Sequence, residues 1–598
     1  MNYETPITHL NGKNLYYTFL AGFKRLLENQ KEINDLNVFP VPDADTGTNL
    51  ASTLQAVIDN VIPEHNIKLT STAMADAALI GARGNSGIIM AQFLYGFSNE
   101  LANESLMTIK QFAQALIKAV DYMYQSVANP VEGTILTVLR EWAEFIYHLK
   151  DKTEDFIDLM NQSYNKALES LSATRERLEI LTKKNVVDAG AQGFVYFLEG
   201  MISFFKDLKL KTLAGTRQKV VSELETSDMH EEITYRYCTE ALLDGKDLNR
   251  QYLLDKLKCF GDSIVVAGSS KRMRVHVHTD HPDQVFEMLG EVGTFSLPKV
   301  DDMQLQYDIS HFRKNKIGLI VDSCSDIPRA IRDKRQIMMI PLVLNVGKRQ
   351  FLDQITIKPS VFYKYLEGDE YPTTSQPSYR EFVARYSYLA SHYDSVISVS
   401  ISSGLSGTYK NSSDAAKQVV QNVVKPITVV DSKACAGSFG LLVLRISDAI
   451  EQGMSYDEIL KKIEEWKPKS KIYVGVRTLK YFVKGGRISP LKGMIAKLIN
   501  LKPIVSMEDG NGIIFGKAFS RKSNIKKILN LFKEDYQKNG IHSYCVSYSN
   551  IEEEKNANAI AIEMEKICGK APLYISPITP VLGVNAGIGT VAVSYQIQ

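Results

Sequence analysis

Two aspartates follow a proline-rich stretch near the N-terminus. The segment reads Asn37-Val38-Phe39-Pro40-Val41-Pro42-Asp43-Ala44-Asp45-Thr46-Gly47-Thr48-Asn49. Because proline fixes φ, Pro40 and Pro42 predict an extended approach in which Asp43 and Asp45 point to the same side. Two carboxylates without a soft ligand nearby suit Mg²⁺, and the helix predicted from Thr46 offers hydroxyl and free N–H groups to an anion. The alternative is an Asx turn that caps a helix.

A glycine-rich loop is the second candidate for binding phosphate. It joins two runs with helical periodicity and reads Gly81-Ala82-Arg83-Gly84-Asn85-Ser86-Gly87. Small residues let the backbone approach a ligand closely, and consecutive N–H groups can surround an anion. A plain helix–helix turn is the alternative. The candidate nucleotide-binding residues of the two segments are Thr46, Thr48, Asn49, Gly84, Asn85 and Ser86.

A cysteine and two histidines form a third candidate group. His276 and His278 alternate along a predicted strand, so both side chains lie on one face of it. Cys238, on another predicted strand, would complete the set of three protein ligands that is typical of an open, catalytic zinc site. The alternative is a surface pair of histidines. His281 falls in the following turn and is interpreted as a capping or solvent-exposed residue.

The elements that must position these groups change character along the chain. Residues 1–208 show helical periodicity almost throughout and predict an all-α domain, and the polar stretch 209–228 is a linker candidate. Residues 229–308 mix short alternating runs with helical ones and predict a small α+β domain. Residues 315–598 contain apolar runs typical of buried parallel strands, such as 317–321 and 395–401, and predict an α/β domain.

Composition restricts the class of protein. The chain has 598 residues, 44% of them hydrophobic and 23% charged, with a net charge of +2. It is therefore too long for one core, and its charge gives no case for nucleic-acid binding. The six cysteines are scattered, which predicts reduced thiols in a cytoplasm. The N-terminus lacks a signal-peptide core, and no apolar run is long enough to span a bilayer.

The first motif resembles the signature of the DhaL-type domain, which is the nucleotide-binding part of dihydroxyacetone kinases and of the bacterial fatty acid kinase. Fatty acid kinases usually have Asp-Gly-Asp where this chain has Asp43-Ala44-Asp45. The glycine-rich loop and the segments 130–138 and 186–193 are also similar to that family. The resemblance implies a helical barrel that binds ATP, with the carboxylates holding Mg²⁺ on its phosphates. Asn37 stands where some relatives have a further Asp and is a candidate Mg²⁺ ligand.

The middle segment resembles the central domain of the fatty acid kinase. The runs YRYCTEALL, GDSIVV and VHVHTDHP occur in the same order as in that domain. In that family the cysteine and the two histidines are important for activity and are associated with a metal. The resemblance therefore implies that Cys238, His276 and His278 form a catalytic or metal-binding cluster, with Zn²⁺ as the candidate ion.

The last segment resembles the DegV family, whose members bind a fatty acid. The motifs that carry the resemblance are Val321–Pro328, Thr373–Ser378, Ser402–Tyr409, Val430–Ser432 and Lys484–Ser489. The resemblance implies that Thr374 and Ser403 lie at the carboxylate end of the ligand and that Arg487 contributes to the same site. The family usually has a histidine near its C-terminus, and here Asn585 takes that place. Asparagine can donate a hydrogen bond but carries no charge.

These resemblances imply a fusion of two proteins that are usually separate, a kinase and the carrier of its fatty acid substrate. The expected activity is transfer of the ATP γ-phosphoryl group to a bound fatty acid, giving acyl phosphate for phospholipid synthesis. One alternative is a lipid carrier or sensor that uses ATP only as a switch. The other is a kinase of a small hydroxy-ketone, although the substrate-binding domain of such enzymes is not evident. A homodimer is expected.

A basic stretch suggests contact with an anionic membrane. No acidic residue occurs between Glu465 and Glu508, while ten basic residues do: Lys467, Lys469, Lys471, Arg477, Lys480, Lys484, Arg487, Lys492, Lys497 and Lys502. Within it, residues 491–499 have apolar side chains at helical spacing, flanked by Lys492 and Lys497. A basic amphipathic helix of this kind can lie on an anionic leaflet, and the alternative is a helix packed on its own domain.

Overall fold

The chain forms two compact units, residues 1–307 and 308–598. The structure is a computed structural model that describes residues 6–42, 44–206, 233–368, 370–421, 423–487 and 502–598. The linker candidate 209–228, Asp43 and the predicted basic helix with Lys492 and Lys497 lie outside the described residues.

The first unit begins with a helical domain. Its core is formed by apolar stripes such as those of the long first and tenth helices, with Phe19 packed edge-on against Phe197. Two three-residue strands, β1 (His9–Asn11) and β2 (Leu106–Thr108), pair antiparallel at its edge. The helices are α1 (Gly12–Glu28), α2 (Gln30–Asp35), α3 (Thr46–Asn60), α4 (Ile67–Gly81), α5 (Gly84–Glu100), α6 (Ile109–Tyr124), α7 (Ile135–Leu149), α8 (Phe156–Arg177), α9 (Glu179–Lys184) and α10 (Ala189–Lys206).

A four-stranded antiparallel sheet follows in the same unit, in the order β4-β5-β3-β6. The first strand starts at Tyr237, later than the alternating run from Ile233 suggests. The elements are β3 (Tyr237–Asp244), α11 (Arg250–Leu257), β4 (Gly261–Ser269), β5 (Arg272–Thr279), α12 (Pro282–Val292), β6 (Thr294–Asp302) and α13 (Met303–His311), which contains the boundary between the units.

The edge strand β4 joins this sheet to the helical domain. Val266 donates its N–H to the carbonyl of Ser126 at 2.8 Å, and Gly268 donates to the side-chain oxygen of Gln92 at 2.6 Å. Val265 belongs to the hydrophobic core that the helices form. The helical domain and the sheet therefore pack as one body, and side chains of both can contribute to one site.

The second unit begins with a parallel α/β lobe. Its sheet has the order β13-β12-β7-β8, and a small antiparallel sheet, β10-β9-β11, stands beside it. The elements are β7 (Ile317–Asp322), a 3₁₀ turn (Ser323–Ser325), α14 (Arg329–Lys334), β8 (Met338–Ile340), β9 (Val343–Val346), β10 (Arg349–Leu352), α15 (Pro359–Glu367), β11 (Thr373–Ser375), α16 (Tyr379–His392), β12 (Ser395–Ser400), α17 (Thr408–Val420) and β13 (Ile427–Asp431).

The second lobe is built on a six-stranded mixed sheet with the order β16-β15-β14-β19-β17-β18. Its elements are α18 (Ala436–Glu451), α19 (Tyr456–Trp466), β14 (Ser470–Gly475), α20 (Lys480–Gly485), β15 (Lys502–Glu508), β16 (Asn511–Ala518), α21 (Arg521–Asn539), β17 (Ile541–Tyr548), α22 (Ile551–Cys568), β18 (Ile575–Pro577), α23 (Pro580–Ala586) and β19 (Val591–Ile597).

The two faces of this six-stranded sheet are covered by different helices. On one face Ile472 and Ala592 pack against Ala436 of α18. On the other face Val591 and Val593 pack among residues of α21 and α22. Alternate residues of a strand point to opposite faces, so neighbouring positions of β14 and β19 serve two separate environments.

The predicted fold class is confirmed: an all-α domain, a small α+β domain and an α/β domain follow one another along the chain. Among the described residues, no helix is both long and apolar enough to cross a membrane.

Candidate functional site

The loop before α3 is not extended, contrary to the expectation from its prolines. Ala44 has φ +52°, which is the left-handed region that favours glycine. The chain therefore turns between the two aspartates, and the period-two argument for a shared direction does not hold. Asp45 follows directly and stands at the N-cap position of α3, where its side chain makes no capping hydrogen bond.

Two predicted ligand-binding residues hold this loop in place. The Asn37 amide donates to the Val41 carbonyl at 3.0 Å, and its oxygen accepts the Thr46 hydroxyl. The Thr48 hydroxyl accepts from the Gln30 side chain at 2.8 Å. The structure thus gives Asn37, Thr46 and Thr48 hydrogen bonds that fix the position of Asp45 at the start of the helix.

The glycine-rich loop packs directly on α3. Gly84 has φ +58°, and a Cβ there would lie 2.3 Å from the amide nitrogen of Asn49. Only glycine fits so close to another side chain in this conformation. The oxygen of Asn85 is buried and has no hydrogen-bond partner within the described residues. Asn85 and Asp45 therefore supply oxygen donors of the type that Mg²⁺ prefers.

A further motif lies beside this loop. A Cβ on Gly190 would lie 3.0 Å from the Ser86 hydroxyl and 3.3 Å from a carboxylate oxygen of Asp188. Asp188 accepts the Ala191 N–H at 2.8 Å and so caps the start of α10. Burial raises the pKa of Asp188 to about 6. The predicted contact of Ser86 with a nucleotide would thus be made beside the start of a third helix.

Cys238, His276 and His278 meet on one face of the small sheet. The register places Cys238 opposite His278 on the neighbouring strand. The sulfur of Cys238 lies 3.8 Å from Nδ1 of His276, and one ligand atom from each of the three residues lies within 4.8 Å of the others. Nε2 of His276 is buried without a hydrogen-bond partner among the described residues. One sulfur and two imidazole nitrogens at these separations fit a zinc ion with an open position.

Glu240 connects this cluster to the glycine-rich loop, and no sequence pattern indicates that role. One carboxylate oxygen accepts the Gly84 N–H at 2.8 Å and lies 3.6 Å from Nδ1 of His276. The other oxygen accepts from Arg274 at 2.6 Å. Glu240 and Arg274 are only 1% and 0% exposed, so this ion pair is shielded from water. A single side chain therefore ties the helical domain to the candidate metal ligands.

The charges around Glu240 compensate one another. Although burial raises the pKa of Glu240, Lys299 and Arg274 outweigh it and hold that pKa well below its usual range. Burial, followed by the Glu240 carboxylate and more weakly by that of Asp45, raises the pKa of the Cys238 thiol. Burial and then His276 lower the pKa of His278 to about 3, so its imidazole is neutral. Asp45 is thus close enough to Cys238 for its charge to be felt there.

The second unit contains an apolar cavity at the motifs predicted to bind a fatty acid. Three of the predicted residues, Thr374, Arg487 and Asn585, line it. Most of its wall is apolar, and includes Leu342, Ile401, Leu405, Ile472, Val474, Phe482, Val505, Ile578, Val581 and Leu582. The oxygen of Asn585 is buried and has no hydrogen-bond partner within the described ranges. An apolar wall with few polar groups suits a ligand with a long apolar tail.

Ser403, the fourth predicted residue, is not part of this cavity wall. Its hydroxyl donates to Asp431 at 2.5 Å, and the side chain is exposed. The serine of the same motif that lines the cavity is Ser406. Serines three residues apart in a loop cannot be told apart by sequence pattern, because the turn between them decides which one faces inward.

The architecture defines a chain that joins a nucleotide-type helical domain and its metal-type sheet to an α/β domain with a lipid-type cavity. Three family models match it in order: the DAK2 domain over residues 40–203, the middle domain of FakA-like fatty acid kinases over 234–310, and the DegV family over 316–598. The chain is therefore a fusion of a DAK2 (DhaL-type) domain, a FakA-like middle domain and a member of the DegV family.

Individual relatives cover parts of the chain. An uncharacterized protein of Staphylococcus epidermidis is 34% identical over 328 residues, which are 52% of this chain and 58% of the relative. The chain thus spans little more than half the length of the curated relatives it matches. Among solved structures, DegV of Bacillus subtilis, described as a fatty acid binding protein, is 31% identical, with a TM-score of 0.44 and coverage of 48% of this chain and 100% of that one. A DegV family protein from Thermus thermophilus, also described by its fatty acid binding, is 28% identical, with a TM-score of 0.43 and coverage of 47% and 100%.

Proposed function

We propose that this chain is an ATP-dependent fatty acid kinase. In this proposal the first unit binds ATP with Mg²⁺, and the DegV domain binds the fatty acid. An oxygen of the fatty acid carboxylate forms a bond to the γ-phosphorus, the bond from that phosphorus to the β-phosphate oxygen breaks, and ADP leaves. The products are ADP and an acyl phosphate.

The observation that carries the proposal is the hydrogen bond from Gly84 to Glu240. It joins the glycine-rich loop of the DAK2 domain to the strand that bears the Cys/His cluster. The loop, Asp45 and the cluster therefore belong to one site, as expected if all three act on the same nucleotide. Phosphoryl transfer depends mainly on positioning and on neutralising the charge of the transferred group, and this site provides fixed groups for both.

Individual roles follow from the side chains. We assign Asp45 and the buried Asn85 oxygen to Mg²⁺, together with Asp43, which lies outside the described residues. Mg²⁺ would neutralise phosphate charge there. The backbone at the start of α5, with Ser86, and the hydroxyl and amide groups of Thr46, Thr48 and Asn49 are proposed to orient the phosphates. Cys238, His276 and His278 are proposed to bind Zn²⁺.

In the second unit, the fatty acid carboxylate is proposed to lie near Thr374, Arg487 and Asn585, with its tail along the apolar wall. Arg487 supplies the positive charge that Asn585, in the place of a histidine, cannot carry. Linking carrier and kinase in one chain gives an effective concentration of up to about millimolar if the geometry allows. Homodimer formation and contact with anionic membranes remain predictions.

The proposal is tested by incubating the full chain with ATP, Mg²⁺ and oleate in the presence of hydroxylamine. Acyl phosphate would be trapped as a hydroxamate, in an amount equal to the ADP formed. Asp45→Asn should lower both products by at least ~100-fold, because a metal ligand is lost. The matched control is Asp59→Asn, at the far end of the same helix. ADP without hydroxamate would favour the switch function, and phosphorylation of dihydroxyacetone would favour the hydroxy-ketone kinase.

A further inference from the structure

The six-stranded sheet of the second unit has a second cavity on the face opposite the fatty acid cavity. Alternation along β19 shows this: Ala592 lines the fatty acid cavity, while Val591 and Val593 line the second one. The second cavity has a volume of about 290 Å³, close to the lower limit of ~300 Å³ for small-molecule sites. None of the motifs assigned above contributes to it.

The polar part of this cavity is cationic. Arg477, Lys502 and Arg521 line it, and they come from three separate segments. Arg521 is paired with Glu553. Among the described residues, neither Arg477 nor Lys502 has a carboxylate partner, and Lys502 donates only to the Arg477 carbonyl, at 3.2 Å. Two positive charges without a partner suit a ligand group with two negative charges.

The start of a long helix adds to the same polarity. Helix α21 has 19 residues and begins at Arg521, so its free N–H groups and positive dipole end lie beside the cationic residues. Burial, followed by the nearby Arg477 cation, lowers the pKa of Arg521. The three cations are thus crowded together, an arrangement that an anionic ligand would relieve.

A buried amide in the cavity wall points to a ligand rather than to solvent. Asn524 is 3% exposed, and its nitrogen donates to the carbonyls of Lys502 and Pro503, both at 3.0 Å. Its oxygen has no partner within the described ranges. That oxygen lies over Gly475, where a Cβ would approach it to 2.5 Å, so it faces the cavity at a place kept open by a glycine. It can accept a hydrogen bond from a hydroxyl group.

The remaining wall is apolar. Ile525 and Ile528 of α21 and Ile560 of α22 face Val591 and Val593 across the cavity. We propose that this cavity is a binding site for an amphiphilic phosphate monoester, with the phosphate at Arg477, Lys502 and Arg521 and the apolar body against these side chains. The site goes beyond the kinase function proposed above and does not depend on it. The ligand can be a free molecule or the headgroup of a lipid.

The test is isothermal titration of the full chain with decyl phosphate, after the fatty acid cavity has been filled with oleate. Decyl phosphate should bind to the filled protein, and the double variant Arg477→Gln, Lys502→Gln should bind it at least about tenfold more weakly. Decyltrimethylammonium, with the opposite charge, should not bind. Lys538→Gln, at the exposed end of α21, is the matched control and should not change the affinity.

A second variant guards against misfolding. Lys502→Gln alone leaves Arg477 packed on Gly589, and should weaken binding severalfold with an unchanged thermal unfolding midpoint. Co-sedimentation with vesicles that contain phosphatidic acid identifies the source of the phosphate: loss of vesicle binding in the double variant indicates a lipid headgroup, and binding of decyl phosphate alone indicates a free ligand. Equal affinity of wild type and double variant for both probes, or displacement of oleate by decyl phosphate, would overturn the proposal.

Discussion

The two candidate sites of the proposed reaction treat polar groups in opposite ways. In the first unit, Glu240 and Arg274 are removed from water and depend on each other and on the Gly84 N–H. In the fatty acid cavity, Thr374, Asn585 and Arg487 are separate polar groups in a largely apolar wall. A buried charge that loses its partner retains its full desolvation cost, whereas one neutral hydrogen bond contributes only ~1 kcal/mol. Single substitutions should therefore have much larger effects in the first unit.

The largest expected effect is that of Glu240→Gln. Removing this charge leaves Arg274 buried without its carboxylate, so we expect the free energy of unfolding of the first unit to fall by about 3–5 kcal/mol. Urea unfolding followed by tryptophan fluorescence measures it, because Trp142 lies in the helical core. Glu176→Gln, on the exposed side of α8, should change it by less than ~0.5 kcal/mol. Equal stabilities of the two variants would show that the ion pair is not needed.

The Cys/His cluster should bind zinc only as a complete set. Elemental analysis of the purified chain should find about one zinc per chain, and Cys238→Ala or His276→Ala should lose it, since two ligands bind the ion much less tightly than three. Cys259→Ala, at an exposed cysteine, should retain it. Wild-type protein without zinc after expression in zinc-containing medium would leave the three residues as a buried polar group.

The fatty acid cavity should respond more moderately. Thr374→Val keeps the shape but removes the hydroxyl, and should weaken oleate binding about fivefold to tenfold, corresponding to one hydrogen bond of ~1–1.5 kcal/mol. Ser403→Ala should change the affinity by less than about twofold, because its hydroxyl is directed at Asp431. Titration with a fluorescent fatty acid measures both. A larger loss in the serine variant would restore Ser403 to the site.

The smallest effect is expected in the loop before α3. Ala44→Gly relieves a left-handed backbone at a non-glycine residue and should stabilise the chain by roughly 1 kcal/mol. Ala173→Gly, inside α8, should have the opposite sign and a similar size. Destabilisation by both substitutions would show that Ala44 is not left-handed in the protein.

Much of the fold can be predicted from sequence because its signals are repeated along the chain. Helical periodicity, apolar strand runs and ordered motifs each involve many residues, so a few errors do not change the result. The shared face of His276 and His278 is predictable because it follows from strand geometry alone.

The parts that sequence reasoning misses depend on contacts between distant segments. Glu240 stands in the run YCTEALL with no pattern that separates it from a surface residue, and only the strand register and Gly84 give it a role. By sequence, Arg477 and Lys502 belong to a basic stretch that predicts a membrane-facing surface. The structure places both at a cavity with Arg521, which lies outside that stretch.

The central claim is that a fatty acid oxygen attacks the γ-phosphorus of ATP. It is tested most directly with oleate labelled with ¹⁸O in its carboxylate, using the full chain, ATP and Mg²⁺, followed by treatment with hydroxylamine. Hydroxylamine attacks the acyl carbon, so the fatty acid oxygen that joined phosphorus stays in the phosphate that is released. The proposal predicts ¹⁸O in that inorganic phosphate, detected by the isotope shift in ³¹P NMR. Formation of ADP with unlabelled phosphate would contradict it, because phosphoryl transfer would then have gone to water.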